Sequence, residues 1–154
     1  MKTLEKTQVT NEVLVQGMNE FLSDLQIFYQ NLRGFHWNVK GSLFFVLHAK
    51  FEEFYNETSE TVDEVAERIL MVGGAPIHAF SDYINVSEVQ EVTDVHGGKE
   101  AVAVVVEQSE FLLSKMNRLM RAAADSNDEG TTAMFSNMIS ETEKRIWMLK
   151  TFQS

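Results

Sequence analysis

The spacing of apolar residues constrains the fold of this chain more than any other feature of its sequence. In the first third of the chain these residues follow alternating steps of four and three, which is the spacing of a helix face buried in a bundle. They are Leu14, Met18, Phe21, Leu25, Phe28, Leu32 and Phe35. A second run with similar spacing extends from Phe44 to Ile69, and a single proline among 154 residues leaves few places where a helix must break. The pattern predicts a few long helices.

Continued along the chain, the same reasoning predicts four helices. They span residues 11–41, 42–73, 99–124 and 131–151. Thr10 or Asn11 is the expected N-cap of the first helix, and Gly41 is its expected end. Residues 76–98 lose the periodicity, and only the valine-rich stretch at 101–106 carries a competing strand signal. The prediction is therefore an all-α, ferritin-like four-helix bundle, with a long crossover between helices 2 and 3 that has room for a short extra helix.

Length and composition limit the organisation of the chain and its partners. We expect a short N-terminal tail at 1–10 and a single four-helix domain at 11–154. Acidic residues outnumber basic ones by 23 to 13, and the net charge of −10 argues against a surface built for nucleic acid. The absence of cysteine excludes disulfides and thiolate metal sites, and it suits a reducing cytoplasm. No apolar run approaches the length of a membrane helix, so no membrane partner is expected.

Four histidines are the first candidates for chemistry, because imidazole binds metals and transfers protons readily. His36 and His48 flank the first predicted turn, and antiparallel helices would bring them to nearby levels of the bundle. His78 and His96 lie in the crossover, where solvated loop residues are expected. Considered alone, each histidine is more often structural than a metal ligand.

Carboxylates of the second helix change the balance between a structural and a metal-binding role for these histidines. Asp63 and Glu67 are four residues apart, on one helix face and about 6 Å from each other, close enough to share a metal ion. A solvated face, with Arg68 relieving the repulsion, explains the same spacing equally well. A second acidic stripe follows helical spacing on what is expected to be a solvated or cavity-facing surface. It consists of Glu53, Glu57, Glu60 and Glu64.

Helix geometry relates the histidines and the carboxylates to the assembly of two chains. His48 and Asp63 are fifteen residues apart on one predicted helix, which separates them by about 22 Å. Because metal–ligand bonds are only about 2 Å long, one chain cannot bring both residues to one ion. If they form a single site, a second chain must supply half of it, as a two-fold dimer does. Imidazole and carboxylate ligands suit iron, manganese or zinc, and with open positions they suit redox-active iron best.

A di-iron site inside one bundle is the alternative arrangement. That design needs a glutamate three residues before a histidine on two helices. The residues at that position are Arg33, Phe45, Ala75 and Thr93. None is glutamate, so the site inside the bundle is not expected.

Three segments of the sequence, taken together, resemble those of one protein family. They are residues 32–41 (LRGFHWNVKG), 44–48 (FFVLH) and 63–69 (DEVAERI). The chain closely resembles the Dps family, the mini-ferritins known as DNA-binding proteins from starved cells, over roughly residues 11–152. The resemblance implies a bacterial cytoplasmic protein that assembles as a hollow dodecamer.

Site residues follow from the resemblance by position. The family's ferroxidase centres bind iron at two-fold interfaces, which implies His36 and His48 from one chain and Asp63 and Glu67 from its partner. Glu52 stands where many members carry aspartate, which implies a further ligand or a residue that supports one. In such proteins Trp37, beside the site, takes up radical equivalents, although simple aromatic packing explains its position at least as well.

The implied reaction is oxidation of paired Fe(II), with hydrogen peroxide preferred over dioxygen, followed by growth of ferric mineral inside the shell. An acidic segment lines the family's three-fold iron pores, and Asp125, Asp128 and Glu129 resemble it. Ala133 stands where relatives often have aspartate, so the set of pore acids stays open.

Two other functions compete with the ferroxidase. The first is DNA compaction without catalysis, which the family name suggests and the acidity opposes. The N-terminal tail offers only Lys2 and Lys6 against Glu5. The second is a helical scaffold that only mediates interactions, which the spacing of histidines and acids makes a poor explanation.

Overall fold

The computed structural model describes residues 2–154, with side chains from Asn11 onward. Its helices are α1 (Lys2–Asn38), α2 (Phe44–Met71), α3 (Phe80–Val86), α4 (Gly98–Asp125) and α5 (Glu129–Gln153). Short turns fold α1 against α2 and α4 against α5. Between residues 2 and 154 there is no strand, only an isolated bridge that joins Lys40 to Gly97. The predicted all-α four-helix bundle is confirmed, and its crossover contains the short helix α3.

The core is built from the predicted apolar faces. All seven residues of the α1 face are buried, and so are Phe51 and Phe54 of α2. Phe21 and Phe135 meet edge to face at 5.6 Å between ring centroids, which joins α1 to α5. The valine-rich stretch at 101–106 is helical, because its apolar residues continue the buried face of α4. The competing strand signal is therefore wrong.

The first helix starts earlier than its predicted N-cap. The backbone is helical from Lys2, so the expected start at Thr10 or Asn11 is wrong. Asn11 instead donates from its side-chain amide to the carbonyl of Val72 at 2.9 Å, which ties α1 to the end of α2. The side chains of residues 1–10 lie outside those that the structure describes. The division into a tail at 1–10 and a domain at 11–154 stays a prediction.

Polar side chains of α1 hold the crossover along the bundle. The amide of Asn19 bonds to the backbone at 75 and 77, and the amide of Asn31 to the backbone at 90 and 92, at 2.9–3.0 Å. Asp24 is fully buried between them. It accepts from the backbone N–H of Glu88 at 2.7 Å and pairs with Lys115 of α4. These contacts fix the crossover, and with it α3, against α1.

Among residues 2–154, no helix has the length and apolar character that crossing a membrane requires.

Candidate metal centre

Two histidines meet where α1 ends and α2 begins. His36 lies in the last turn of α1, and His48 lies in the second turn of α2. The turn between the helices includes Gly41 at a φ of 104°, a conformation that glycine adopts without strain. The two imidazole rings stack, with 3.8 Å between centroids and 12° between planes. The turn therefore sets the two side chains face to face.

Each of these histidines donates a hydrogen bond to the backbone of the other. Nδ1 of His36 donates to the carbonyl of His48 at 2.6 Å, and Nδ1 of His48 donates to the carbonyl of His36 at 2.7 Å. Because a carbonyl only accepts, both Nδ1 atoms carry the proton, and a neutral ring then keeps its lone pair on Nε2. Backbone contacts of this kind fix the tautomer and the ring orientation of metal-binding histidines. In each neutral ring, Nε2 is then the nitrogen left to act as an acceptor or a ligand.

The carboxylates do not join the histidines within one chain. Asp63 and Glu67 are exposed on α2, which runs without a break from Phe44 to Met71, so about 22 Å of helix separates His48 from Asp63. Within the described residues, no three His, Cys, Asp or Glu side chains come together as a metal site. Glu52, exposed one turn after His48, is therefore not part of such a group. One chain carries two separate half-sites.

Arg68 does not neutralise the acidic pair. Its guanidinium donates to Asp128 and to Thr131 of α5, both at 2.9 Å. The ion pairs of α2 in the described chain involve Lys50 and Arg68, and neither contains Asp63 or Glu67. The expectation that Arg68 might relieve the repulsion of the pair is wrong, because the N-terminus of α5 holds its guanidinium. Asp63 and Glu67 therefore form no ion pair with Arg68.

Large apolar side chains are exposed near the turn between α1 and α2 that carries the histidine pair. Trp37 is 55% exposed, and Phe45 is 85% exposed. Trp37 also lines a groove of about 640 Å³ together with the exposed Phe80 and Ile84 of α3. Arg33 stacks over the Trp37 ring at 4.8 Å. Exposed apolar patches of this kind are typical of interaction surfaces.

Two tyrosines pack beside the pair, and our sequence reasoning did not include them. The Tyr55 ring meets the His36 ring edge to face at 5.4 Å, and the Tyr29 ring meets Tyr55 at 5.8 Å. A sequence signal was present: Tyr29 lies seven residues before His36, and Tyr55 lies seven residues after His48. A step of seven returns to the same face of a helix, so both tyrosines share the face of their histidine.

The acidic stripe of α2 faces solvent in the single chain, where Glu53, Glu57, Glu60 and Glu64 are all exposed. Partial burial, with nearby Glu53 and Glu141, raises the pKa of Glu57 although Arg145 opposes the shift. Partial burial, with Glu141, also raises the pKa of Glu64. Burial lowers the pKa of Arg145 to about 10, and its guanidinium lies over the Phe28 and Phe54 rings. α2 and α5 therefore share one acidic face.

Residues 125–129, which we call the access segment, join α4 to α5. Asp128 caps α5 by accepting from the N–H of Thr131 at 3.0 Å. Burial alone would raise the pKa of Asp128, but hydrogen bonds from Thr131 and Arg68 outweigh it and hold the pKa below its usual value. Asp125 and Glu129 are exposed. Of the three predicted pore acids, Asp128 is engaged in holding the helix end, and the other two face solvent.

The other two histidines lie apart from the pair. His78 is exposed, with Nδ1 3.3 Å from the carbonyl of Pro76. His96 is also exposed, and its Nδ1 contacts the carbonyl of Asn38 at 3.0 Å, which ties the end of the crossover to the end of α1.

Residues 15–154 match the ferritin-like domain family. The chain is 37% identical to a DNA protection during starvation protein of Porphyromonas gingivalis, with 98% of this chain and 97% of that protein covered. It is 35% identical to DNA protection during starvation protein 2 of Bacillus anthracis, over 92% and 97% of the two chains. The chain belongs to the Dps family of ferritin-like proteins.

Solved structures show the same fold. A Dps protein from Vibrio cholerae O1, described as a member of a broad superfamily of ferritin-like diiron-carboxylate proteins, is 38% identical. It matches with a TM-score of 0.93, and the match covers 95% of this chain and 92% of that one. A Dps from Staphylococcus aureus is 34% identical, with a TM-score of 0.88 and 92% and 95% coverage. The resemblance to the Dps family found in the sequence is confirmed.

Proposed function

We propose that this Dps-family chain is a ferroxidase and iron-storage protein that oxidises Fe(II) with hydrogen peroxide and so protects the bacterial cytoplasm from oxidative stress. The observation that carries the proposal is the histidine pair, whose Nδ1–H groups are both bonded to backbone carbonyls. Imidazoles held this way offer two fixed Nε2 atoms, with the His36 ring buried and the His48 ring half-buried. Family membership supports iron as the metal, since a relative with the same fold is described as a diiron-carboxylate protein.

The proposed site lies between two chains related by a two-fold axis. His36 and His48 of one chain would bind Fe(II) together with Asp63 and Glu67 of the other, because α2 holds these half-sites too far apart to meet within one chain. A two-fold interface brings two different half-sites together reciprocally and so makes two equivalent sites. The exposed Trp37, beside the pair, supports an interface on this face.

In the proposed reaction, the protein positions the iron ions and supplies charged ligands for them. Two imidazole nitrogens and two carboxylates would hold a pair of Fe(II) ions close together, and open coordination positions on the iron would leave room for peroxide. Each Fe(II) gives one electron, and the two electrons break the O–O bond of peroxide, which with two protons becomes two water molecules. Because both electrons come from paired iron, no hydroxyl radical is released. Glu52 would add a ligand or support one.

We assign iron storage and iron uptake to the acidic residues outside the proposed site. We place the acidic face of α2 and α5 toward the interior of a hollow shell, a dodecamer in this family, where carboxylates concentrate cations and start mineral growth. Asp125 and Glu129 would line the path by which Fe(II) enters. Asp128 would contribute by shaping that path, because Thr131 and Arg68 occupy its carboxylate.

The double variant His36→Ala/Asp63→Ala tests the proposal. We expect it to lose rapid Fe(II) oxidation by peroxide in stopped-flow absorbance, while particle size stays that of the wild type. A matched control, His78→Ala/Glu60→Ala, removes one exposed histidine and one exposed acid from outside the site and should keep the wild-type rate. Unchanged oxidation by the double variant in an intact assembly would refute the site.

A further inference from the structure

We propose that His96, at the end of the crossover, is a positioning residue that keeps the imidazoles of His36 and His48 in place to bind iron. The inference rests on the proposed ferroxidase function, and it adds to that function a residue outside the site. Residues 96–98, which we call the clamp segment, carry the inference because they contact both ends of the turn between α1 and α2.

The clamp segment is bonded twice to the end of α1 and the residues after it. Nδ1 of His96 donates to the carbonyl of Asn38 at 3.0 Å, and the N–H of Lys40 donates to the carbonyl of His96 at 2.9 Å. Val39, between the two bonded residues, is 2% exposed. This stretch of backbone is therefore held by the core through Val39 and by the crossover through His96.

The start of α4 reaches the other end of the turn. Gly98, the first residue of α4, is buried. A Cβ at this position would lie 2.8 Å from Cδ1 of Leu47 and 3.2 Å from Cδ1 of Leu43. Leu47 is itself buried and immediately precedes His48. Because Gly98 has no side chain, α4 packs directly against the start of α2.

The turn needs this support because its own residues do little to fix it. Gly41 gives the backbone conformational freedom, and Leu43, the N-cap of α2, makes no side-chain capping bond. The reciprocal Nδ1 bonds of His36 and His48, at 2.6 and 2.7 Å, form only when the two helix ends keep a fixed separation. The clamp segment contacts both ends and so sets that separation.

Loss of the His96 side chain should loosen the pair without removing a ligand. Residues that orient metal ligands through hydrogen bonds typically change metal affinity or activity by about 10–100-fold when they are replaced. In His96→Ala the backbone bond from Lys40 remains, so we expect about a tenfold rise in KM for Fe(II). The change in kcat should be smaller, because every ligand is still present once iron is bound. His96→Asn keeps an amide that can donate to the carbonyl of Asn38, and it should restore the wild-type KM.

The direct readout is the position of the imidazole protons. The full-length protein has four histidines, so nitrogen-15 histidine labelling and solid-state NMR at about pH 8, where an unperturbed imidazole is neutral, resolve their Nδ1 and Nε2 signals. In the wild type without iron, His36 and His48 should carry the proton on Nδ1. His96→Ala should give both rings a mixture of Nδ1–H and Nε2–H forms, and His96→Asn should not.

Two controls separate this effect from the loss of any histidine or of any tight contact. His78→Ala removes another exposed crossover histidine, whose Nδ1 lies near the carbonyl of Pro76, and it should match the wild type. Gly98→Ala should give the same mixture of proton positions as His96→Ala. Its control is Gly17→Ala, whose Cβ would lie 2.7 Å from Cδ2 of Leu119 in the contact between α1 and α4, and it should leave the signals unchanged.

The outcomes distinguish the clamp from the ferroxidase function. Unchanged proton positions and KM in both His96→Ala and Gly98→Ala overturn the clamp and leave the ferroxidase intact. A loss in His96→Ala that His96→Asn shares contradicts a role for the bond to Asn38, and an unchanged Gly98→Ala alone removes α4 from the clamp. Failure of the wild type to oxidise Fe(II) with peroxide overturns the ferroxidase function, while the NMR comparison still decides whether His96 orients the pair.

Discussion

At the scale of the residue, the histidine pair depends on backbone that lies next to it in the fold. His36 and His48 each donate to the other's backbone carbonyl. The orientation of the two rings therefore depends on how the end of α1 and the start of α2 are placed relative to each other. The twelve-residue spacing indicates that the two side chains are neighbours. It does not predict reciprocal Nδ1 bonds, because those depend on how the turn with Gly41 reverses the chain. Sequence spacing therefore predicts the neighbours, and tertiary geometry sets the tautomer.

Partial burial of two glutamates on the acidic face, together with the negative charge of neighbouring glutamates, leads to a prediction about pH. The pKa of Glu57 and that of Glu64 are raised in the folded chain, so both bind protons more readily folded than unfolded. Ionising them therefore lowers stability as pH rises above the ordinary glutamate range. The variant Glu57→Gln/Glu64→Gln should be more stable than the wild type at pH 7, by less than about 1 kcal/mol per residue because solvent screens exposed side chains. Denaturant unfolding at pH 7 and near pH 4 measures the difference.

Near pH 4 the gain should shrink, because protonation of Glu57 and Glu64 removes the cost of partly burying their charges, and their repulsion, in the wild type as well. The matched control, Glu60→Gln, lies on the same stripe. A gain that is equal at both pH values would contradict an electrostatic origin.

At the scale of the element, the 3–4 spacing of apolar residues predicts the long helices, because the residues at this spacing are the ones that the helices bury. It does not predict where α1 begins, since Thr10 and Asn11 have the chemistry of a cap but the chain continues as a helix before them. Nor does it predict how the crossover is held, because Asn19, Asp24 and Asn31 find partners more than fifty residues away. Local patterns specify elements, while contacts distant in sequence specify how a connection docks.

The access segment gives a prediction at this scale. Asp128→Ala removes the cap of α5 and the partner of Arg68, so it should destabilise the protein by about 1–2 kcal/mol, the usual cost of a lost cap. Glu129→Ala is the control, because Glu129 is exposed beside the cap, and it should leave stability nearly unchanged. Denaturant unfolding compares the two variants. Equal stability of both would show that Asp128 does not hold the end of α5.

At the scale of the whole molecule, the proposed function gives the ten excess negative charges one shared role, which is to attract cations. Asp63 and Glu67 form no ion pair with Arg68, because α5 holds Arg68, and α2 and α5 share a second acidic face. In the proposed shell these charges would add up and attract cations. Family membership is clear from sequence because the histidine and acid segments stand at fixed intervals. About 22 Å of helix predicts that a single site would need two chains, and the resemblance to the family implies which residues each chain supplies.

The same acidity predicts weak binding to DNA, although relatives carry names that refer to DNA protection. We expect no retention of duplex DNA in gel-shift titrations at physiological salt, because few lysines are available to contact phosphates. A variant that lacks residues 1–10 should behave like the full chain. Tight binding by the full chain that disappears on truncation would show that Lys2 and Lys6 suffice, and it would contradict the prediction.

Mixing two inactive chains tests the shared site most directly. One chain carries His36→Ala/His48→Ala, and the other carries Asp63→Ala/Glu67→Ala. Each alone should lack rapid Fe(II) oxidation by peroxide, but a mixed dimer contains one intact site and one with neither half. Random pairing of equal amounts should restore about one quarter of the wild-type activity, since half of the dimers are mixed and each has one of two sites. Mixed dimers, verified by mass, that stay inactive would contradict a site shared between two chains.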